Sequence, residues 1–137
     1  MQFIQQKDGT VAGNVIENNI FCNQSNAIIA EFYHSKASRS WPDGSFNGNI
    51  VRSNLLPTGT RPLTIVRKNG SVHVTLAEAE ATFDGWMGNL QVDPCLTDPV
   101  GANFTPMPNS PAIDAGLRIL DVPYVGTAPD LGSHEVR

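Results

Sequence analysis

Apolar residues and asparagines recur in the same order at two places in the chain. Residues 13–21 read GNVIENNIF and residues 48–56 read GNIVRSNLL, so each copy has Gly-Asn, a β-branched pair, a second asparagine and a closing apolar pair. Short apolar runs bounded by glycine, asparagine and proline predict strands joined by turns rather than a helix. A unit this short cannot bury its own apolar face, so the repeat predicts copies stacked into a solenoid of β-coils.

The spacing of the two copies fits one coil that carries one long loop. The copies begin at Gly13 and Gly48, 35 residues apart. Residues 34–45 between them are polar and end in a Pro-Asp-Gly turn, which predicts a protruding loop of about 12 residues. The roughly 23 residues left for the coil lie within the range expected of solenoid repeats.

A hairpin is predicted after the second copy. Leu63–Val66 and Val72–Val74 flank Asn69-Gly70, and an Asn-Gly pair between β-rich segments is typical of a hairpin turn. The two segments are therefore expected to pair.

One short helix and a tail complete the predicted domain. Thr75 and Glu78 have the spacing of a capping box, so the helix is expected from Thr75 to about Phe83. Frequent prolines from residue 84 onward prevent long strands and favour a segment that covers the end of the stack. The prediction is a single domain with coils over 1–74, the helix over 75–83 and an irregular, proline-rich C-terminal cap over 84–137.

The composition favours an all-β protein and argues against two classes of partner. Among 137 residues, 40% are hydrophobic and only 16% are charged, with 12 glycines and 10 prolines, whereas helical domains usually carry more Glu and Lys. A net charge of -4 offers no basic surface to nucleic acid. No apolar run approaches the roughly 20 residues of a membrane span. The start of the chain lacks the basic and apolar segments of a secretory signal, so a cytoplasmic protein is expected.

The two cysteines are predicted to be free. Cys22 and Cys95 lie far apart in the sequence, and two thiols could form one disulfide but not a metal-ligand cluster. We favour two buried thiols that act as small hydrophobic side chains. No metal and no cofactor is therefore expected.

The predicted loop is the candidate ligand site. Aromatic faces stack on sugar rings, and the charged groups of the loop can bond hydroxyls or carboxylates, which suits an oligosaccharide. A lyase would also need a base and a cation, for which His34 or Lys36 with Arg39 could serve. The alternative is a surface loop with Trp41 tucked against the coil. The candidate residues are Tyr33, His34, Lys36, Arg39, Trp41 and Asp43.

Other titratable residues have structural explanations. His73 lies between two valines, and strand alternation predicts that it points outward. His134 with Asp130 and Glu135 could suggest a metal, but three ligands on a terminal turn are a weak signal, and a capping role is favoured. The aspartates of the tail are expected to form turns. These aspartates are Asp93, Asp98, Asp114 and Asp121.

The tail resembles a known family. The sequence NSPAIDAG over residues 109–116, then Asp121 and PDLGSHE over residues 129–135, is similar to the closing segment of right-handed parallel β-helix proteins of the pectate-lyase-like superfamily. The resemblance covers roughly residues 13–135. It implies a short right-handed parallel β-helix, in which turn asparagines such as Asn19 and Asn54 stack in a ladder.

The resemblance also shapes the prediction of function. Members of this family are often secreted, so the cytoplasmic location is expected only by default. Related enzymes carry their catalytic groups on central coils that this chain mostly lacks. A short stack would have an open N-terminal coil, which must be capped or paired, so a homo-oligomer through that coil is expected. A short chain with this tail also resembles a mobile gene-cassette product. We predict a binding or assembly module without catalysis, with an oligosaccharide or another chain as partner. The alternative is a polysaccharide lyase or glycoside hydrolase whose groove is completed by oligomerisation. A third possibility is a remnant that folds but binds no ligand.

Overall fold

The computed structural model describes residues 2–5, 13–22, 29–33, 48–59, 63–67 and 70–136. Within these ranges the chain forms short strands and one helix. In chain order they are β1 (Gln2–Gln5), β2 (Val15–Glu17), β3 (Ile29–Tyr33), β4 (Ile50–Arg52), β5 (Leu55–Leu56), β6 (Leu63–Arg67), β7 (Gly70–Val74), α1 (Leu76–Thr82), β8 (Trp86–Met87), β9 (Leu90–Gln91), β10 (Leu96–Asp98) and β11 (Asn103–Pro106).

The described strands form small sheets that mix parallel and antiparallel pairs. One sheet has the order β1-β3-β6-β7, in which β1 pairs with β3 and β3 with β6 in parallel, whereas β6 and β7 are antiparallel. A second sheet has the order β2-β4-β8. Two further sheets have two strands each, the parallel pair β5-β9 and the antiparallel pair β10-β11.

The prediction of an all-β, short right-handed parallel β-helix is wrong. In the described part of the chain the strands make small parallel and antiparallel sheets, together with one helix, in place of the expected stack of coils. The physical reason lies in two chain reversals. The chain reverses between Arg67 and Gly70, so that β6 pairs with β7, and a turn over residues 99–102 joins β10 to β11, so these strands pair with their sequence neighbours. The predicted irregular cap also holds four strands, β8 to β11.

Two compact units are distinguished. The first comprises Met1–Val15, Gln24–Ile50 and Gly59–Met87. It holds the four-stranded sheet, in which the predicted hairpin is confirmed by the pairing of Arg67 with Gly70.

The helix of the first unit begins as its sequence predicts. The Thr75 hydroxyl accepts a hydrogen bond from the Glu78 amide at 3.2 Å, and the Glu78 carboxylate accepts one from the Thr75 amide at 2.8 Å. This reciprocal pair is the capping box, which satisfies donors that the first helical turn leaves open. Ala79 is the fully buried residue of the helix and marks the face that packs inward, and Phe83 ends the helix. Among the described residues no helix has the length and apolar character needed to cross a membrane.

The second unit comprises Ile16–Asn23, Val51–Thr58 and Gly88–Arg137. Its core is the buried cluster of Leu55, Ala112 and Leu131, against which Ile20 and Ala115 pack. The Leu131 amide donates to the Ala112 carbonyl at 2.8 Å. The two segments that carry the family resemblance therefore meet in one core.

Candidate functional site

The candidate residues predicted in the loop remain untested. His34, Lys36, Arg39, Trp41 and Asp43 lie outside the described residues, and Tyr33 is described only as the last residue of β3. The oligosaccharide site predicted there stays a prediction. The described residues bring together a different set of side chains.

A ladder of asparagines organises these residues. Asn19 donates its backbone N–H and its Nδ2–H to Oδ1 of Asn54, at 3.1 and 3.0 Å. Asn54 repeats the same two bonds to Oδ1 of Asn89, again at 3.1 and 3.0 Å. In the first unit Asn14 makes the same pair of bonds to Asn49. The predicted stacking of Asn19 on Asn54 is confirmed, and each step advances 35 residues along the chain.

The third position of the ladder was missed by sequence reasoning. Asn89 follows Asn54 by 35 residues, and both are followed by leucine. The residue before each asparagine also repeats, because Asn18, Ser53 and Gly88 all have a positive φ, of 57°, 48° and 62°. Only glycine adopts that conformation freely, so Gly88 was the available signal.

The ladder brings three chain segments to one cavity in the second unit. Ile20 bridges to Leu55 in parallel, and Leu55 pairs with Leu90. The residues that follow these paired positions therefore end side by side. They line a cavity of about 390 Å³ that is open to solvent on one side. Its lining is Phe21, Cys22, Pro57, Thr58, Asp93, Pro94, Cys95, Leu96, Pro99 and Met107.

One wall of the cavity is held by hydrogen bonds around Cys95. Asp93 Oδ1 accepts from the Cys95 amide at 2.9 Å, so the predicted turn role of Asp93 is confirmed. The Cys95 carbonyl accepts from the Met107 amide at 2.8 Å, and the Ser110 hydroxyl donates to the Pro94 carbonyl. Cys95 itself has a φ of 48°, a left-handed conformation that costs a non-glycine residue free energy. These bonds fix the wall despite that cost.

Both cysteines line this cavity as free thiols. The prediction of free thiols is confirmed, but Cys22 and Cys95 are each partly exposed rather than buried. They stand far apart in sequence and share one cavity only because the ladder aligns their segments. Sequence reasoning had no signal for this juxtaposition.

The acidic residues of the tail serve structure. Asp130 is buried, and its carboxylate accepts from the amides of Asp114 and Val136 at 2.8 and 2.7 Å. Glu135 accepts from the amides of Val125 and Asp130, both at 3.1 Å. The capping role favoured for these residues is confirmed, and the described residues contain no group of three potential ligands that could hold a metal ion.

Asp114 closes a turn of the tail. Its Oδ1 accepts from the amides of Thr127 and Ala128 at 2.7 and 3.0 Å. Those two backbone hydrogen bonds, that of Ala128 first, lower the pKa of the Asp114 carboxyl because they favour its charged form. A Cβ at Gly126 would lie 2.2 Å from the same oxygen. The turn therefore requires glycine at that position.

The predicted exposure of His73 is confirmed, since it lies exposed on β7. His134 is also exposed, and its Nδ1 lies 3.0 Å from the Ser133 hydroxyl. Neither histidine belongs to the lining of the cavity.

A comparison with protein-family models, curated proteins and solved structures found no match to the chain.

Proposed function

We propose that the chain is a binding module without catalysis of its own, and that its ligand occupies the cavity between Cys22 and Cys95. The observation that supports this proposal is the cavity itself. Its volume of about 390 Å³ lies at the lower end of the range of small-molecule sites. Such sites combine apolar surface with a few polar groups. This lining mixes apolar side chains with Thr58, Asp93 and the two cysteines.

The polar groups of the lining favour binding over chemistry. A thiol nucleophile needs a neighbouring base, and the lining residues include no histidine or lysine. The one carboxylate of the lining, that of Asp93, already accepts the Cys95 amide through Oδ1. The arrangement can hold a ligand, and no lining residue supplies the second partner of an acid-base pair.

The lining favours an apolar ligand over a sugar at this cavity. Phe21 is the one aromatic side chain among the lining residues, and Leu96, Met107 and the prolines add apolar surface. Sugar sites need aromatic faces together with several hydrogen-bonding side chains. We therefore propose an aliphatic chain or an apolar protein side chain as the occupant. The oligosaccharide remains tied to the separate loop of Tyr33 to Asp43.

The two thiols allow a direct test of cavity occupancy. The initial rate at which Ellman's reagent modifies Cys22 and Cys95 would be measured with and without octanoate as the apolar probe and xylohexaose as the sugar probe. We expect octanoate to slow the reaction and xylohexaose to leave it unchanged, because an occupied cavity shields its lining. Slowing by neither probe would contradict the proposed site, and slowing by xylohexaose alone would replace the apolar ligand with a sugar.

A matched pair of variants locates the effect. Met107→Lys places a charge in the lining and should abolish the protection by octanoate. Val100→Lys places the same charge on the same hairpin at a side chain that is 91% exposed and absent from the lining. It should retain the protection. Equal behaviour of the two variants would mean that the probe binds outside the cavity.

A further inference from the structure

Asn18 joins two parts of the tail to an edge of the second unit. Its Oδ1 accepts from the Leu117 amide at 2.8 Å, and its Nδ2 donates to the Leu117 carbonyl at 2.7 Å. The backbone carbonyl of Asn18 accepts from the Gly132 amide at 2.8 Å, whereas its backbone amide donates to the Ser53 carbonyl at 3.1 Å. Asn18 therefore lies between Ser53 and the tail.

Gly132 takes the place of a further repeat segment on this edge. The Gly132 amide donates to the Asn18 carbonyl in the same way as the Asn18 amide donates to the Ser53 carbonyl. The backbone conformation also repeats, because the φ angles of Gly132, Asn18 and Ser53 are all positive, at 90°, 57° and 48°. A residue of the tail therefore reproduces both the hydrogen bond and the conformation of a repeat position.

The tail also covers apolar side chains beside this edge. A Cβ at Gly132 would lie 3.1 Å from Ile20 Cδ1, so the backbone of the tail packs directly against Ile20. Leu131 is buried with Leu55 in the core, and its amide donates to the Ala112 carbonyl at 2.8 Å. Detachment of the tail would uncover apolar side chains together with backbone groups that can pair with another chain.

We propose that residues 129–133 form an edge cap, an autoinhibitory contact that keeps residues 18–22 from pairing with a second copy of the chain. A second copy supplies what this edge accepts, because the chain carries three times a residue of positive φ followed by an asparagine. The three pairs are Asn18-Asn19, Ser53-Asn54 and Gly88-Asn89. The edge cap occupies the position at which a further pair of this kind would bind. Native proteins cover the edges of their sheets to prevent such pairing.

The edge cap goes beyond the proposed function and does not depend on it, because none of residues 129–133 lines the cavity. It predicts how association changes when the tail is detached, whatever the oligomeric state of the parent chain. The homo-oligomer expected at the N-terminal coil stays a separate prediction.

Two variants detach the edge cap in different ways. Asn18→Gly removes both side-chain hydrogen bonds to Leu117, and glycine adopts a φ of 57° freely. Gly132→Pro removes the amide that donates to Asn18, and the proline ring cannot adopt a φ of 90°. Ser53→Gly is the matched control, because it makes the same kind of change at a positive φ one position farther from the tail.

Hydrogen exchange measures the detachment. The Leu131 and Gly132 amides are hydrogen-bonded in the closed tail, to the carbonyls of Ala112 and Asn18. Loss of two hydrogen bonds in Asn18→Gly should raise the open fraction of the tail, and with it the exchange rates of these two amides, by about ten- to hundredfold. The Leu131 amide should also exchange faster in Gly132→Pro, whereas Ser53→Gly should keep the parent rates.

Light scattering over a dilution series measures the association. At equal concentration the solution mass of Asn18→Gly and of Gly132→Pro should exceed that of the parent chain, whereas Ser53→Gly should match the parent. In the two detached variants the amides of residues 18–22 should exchange more slowly as concentration rises, because the edge is then paired between copies. Far-UV circular dichroism would check that the variants keep the parent fold.

Four outcomes would overturn the edge cap. Tail amides that exchange at the parent rate in both detached variants would show that Asn18 does not hold the tail. Fast exchange without a rise in mass would show that the tail does not prevent association, and an equal rise in Ser53→Gly would show that the tail is not its cause. A rise in mass without slower exchange over residues 18–22 would place the contact elsewhere. Protection of the thiols by octanoate, measured on the parent chain, tests the cavity independently.

Discussion

Replacing Asn54 tests whether the asparagine ladder holds the second unit together. The residue is 0% exposed. Its Nδ2 donates to the carbonyls of Ile16 and Arg52 and to Asn89 Oδ1, at 2.8, 3.0 and 3.0 Å. Its Oδ1 accepts two bonds from Asn19. Asn54→Ala removes all five of these hydrogen bonds at once.

The expected cost follows from the number of bonds. A typical hydrogen bond contributes a net 0.5–1.5 kcal/mol, and a buried group left without a partner costs more, so Asn54→Ala should lower the free energy of unfolding by about 3–5 kcal/mol. In urea, with a slope of about 2 kcal/mol per molar, the unfolding midpoint should fall by roughly 2 M. The midpoint would be read from the fluorescence of the buried Trp86 and from far-UV circular dichroism.

Asn19→Ala is the control. Asn19 is exposed, and among the described residues its side chain makes two hydrogen bonds, to the Glu17 carbonyl and to Asn54 Oδ1. Its loss should cost about 1 kcal/mol. If Asn54→Ala cost no more than Asn19→Ala, the ladder would not be a principal source of stability and the reasoning would be refuted.

Asn54→Asp adds a check through pH. The new carboxylate would face the carbonyls of Ile16 and Arg52 in a buried place, and desolvation and repulsion would raise the pKa of that carboxyl. The variant should therefore lose stability as pH rises through that pKa, the opposite of the usual aspartate behaviour. Unfolding in urea at pH 3 and pH 7 measures the difference.

Two further predictions concern a backbone contact and a titrating group. Gly85→Ala should destabilise the chain by at least about 3 kcal/mol in urea unfolding, because its Cβ would lie 1.9 Å from the Asn49 carbonyl oxygen. Gly59→Ala is the comparison: its Cβ would meet nothing within 4 Å, and the strain of its φ of +73° alone should cost about 1–2 kcal/mol. Equal costs of the two variants would contradict the contact. Asp114 has a lowered pKa, so its stabilisation is present above the ordinary value of 3.8 and is lost as pH falls below it. Unfolding midpoints between pH 5 and 2.5 should fall more steeply for the parent than for Asp114→Asn, and parallel curves would contradict the assignment.

Several local elements could be predicted from the sequence. The capping box at Thr75 and Glu78, the hairpin of β6 and β7 and the turn at Asp93 all depend on residues within a few positions of one another. Side chains at such spacing contact the same backbone in almost any fold. The contact of Asn19 with Asn54 was also predictable, because an internal repeat places equivalent residues in register.

The sheet arrangement could not be predicted in the same way. A repeat indicates that its copies pair, but it does not say where the chain reverses between them. The pairing of the two copies was therefore predicted correctly, whereas the solenoid inferred from that pairing was wrong. The antiparallel pairs β6-β7 and β10-β11 replaced the expected coils. A strand's pairing partner depends on the packing of the whole sheet, which the spacing of two motifs does not contain.

The amino-acid sequence by itself determined the turns, the helix cap, the hairpin and the asparagine register, since each follows from short-range hydrogen bonding or from a repeated side chain. Only the tertiary structure decided that Cys22 and Cys95 share one cavity, because their meeting depends on parallel pairing between segments far apart in the chain. It also decided that Leu120 is exposed rather than buried. Whether a side chain is buried depends on which surfaces pack against each other, and this packing exists only in the folded chain.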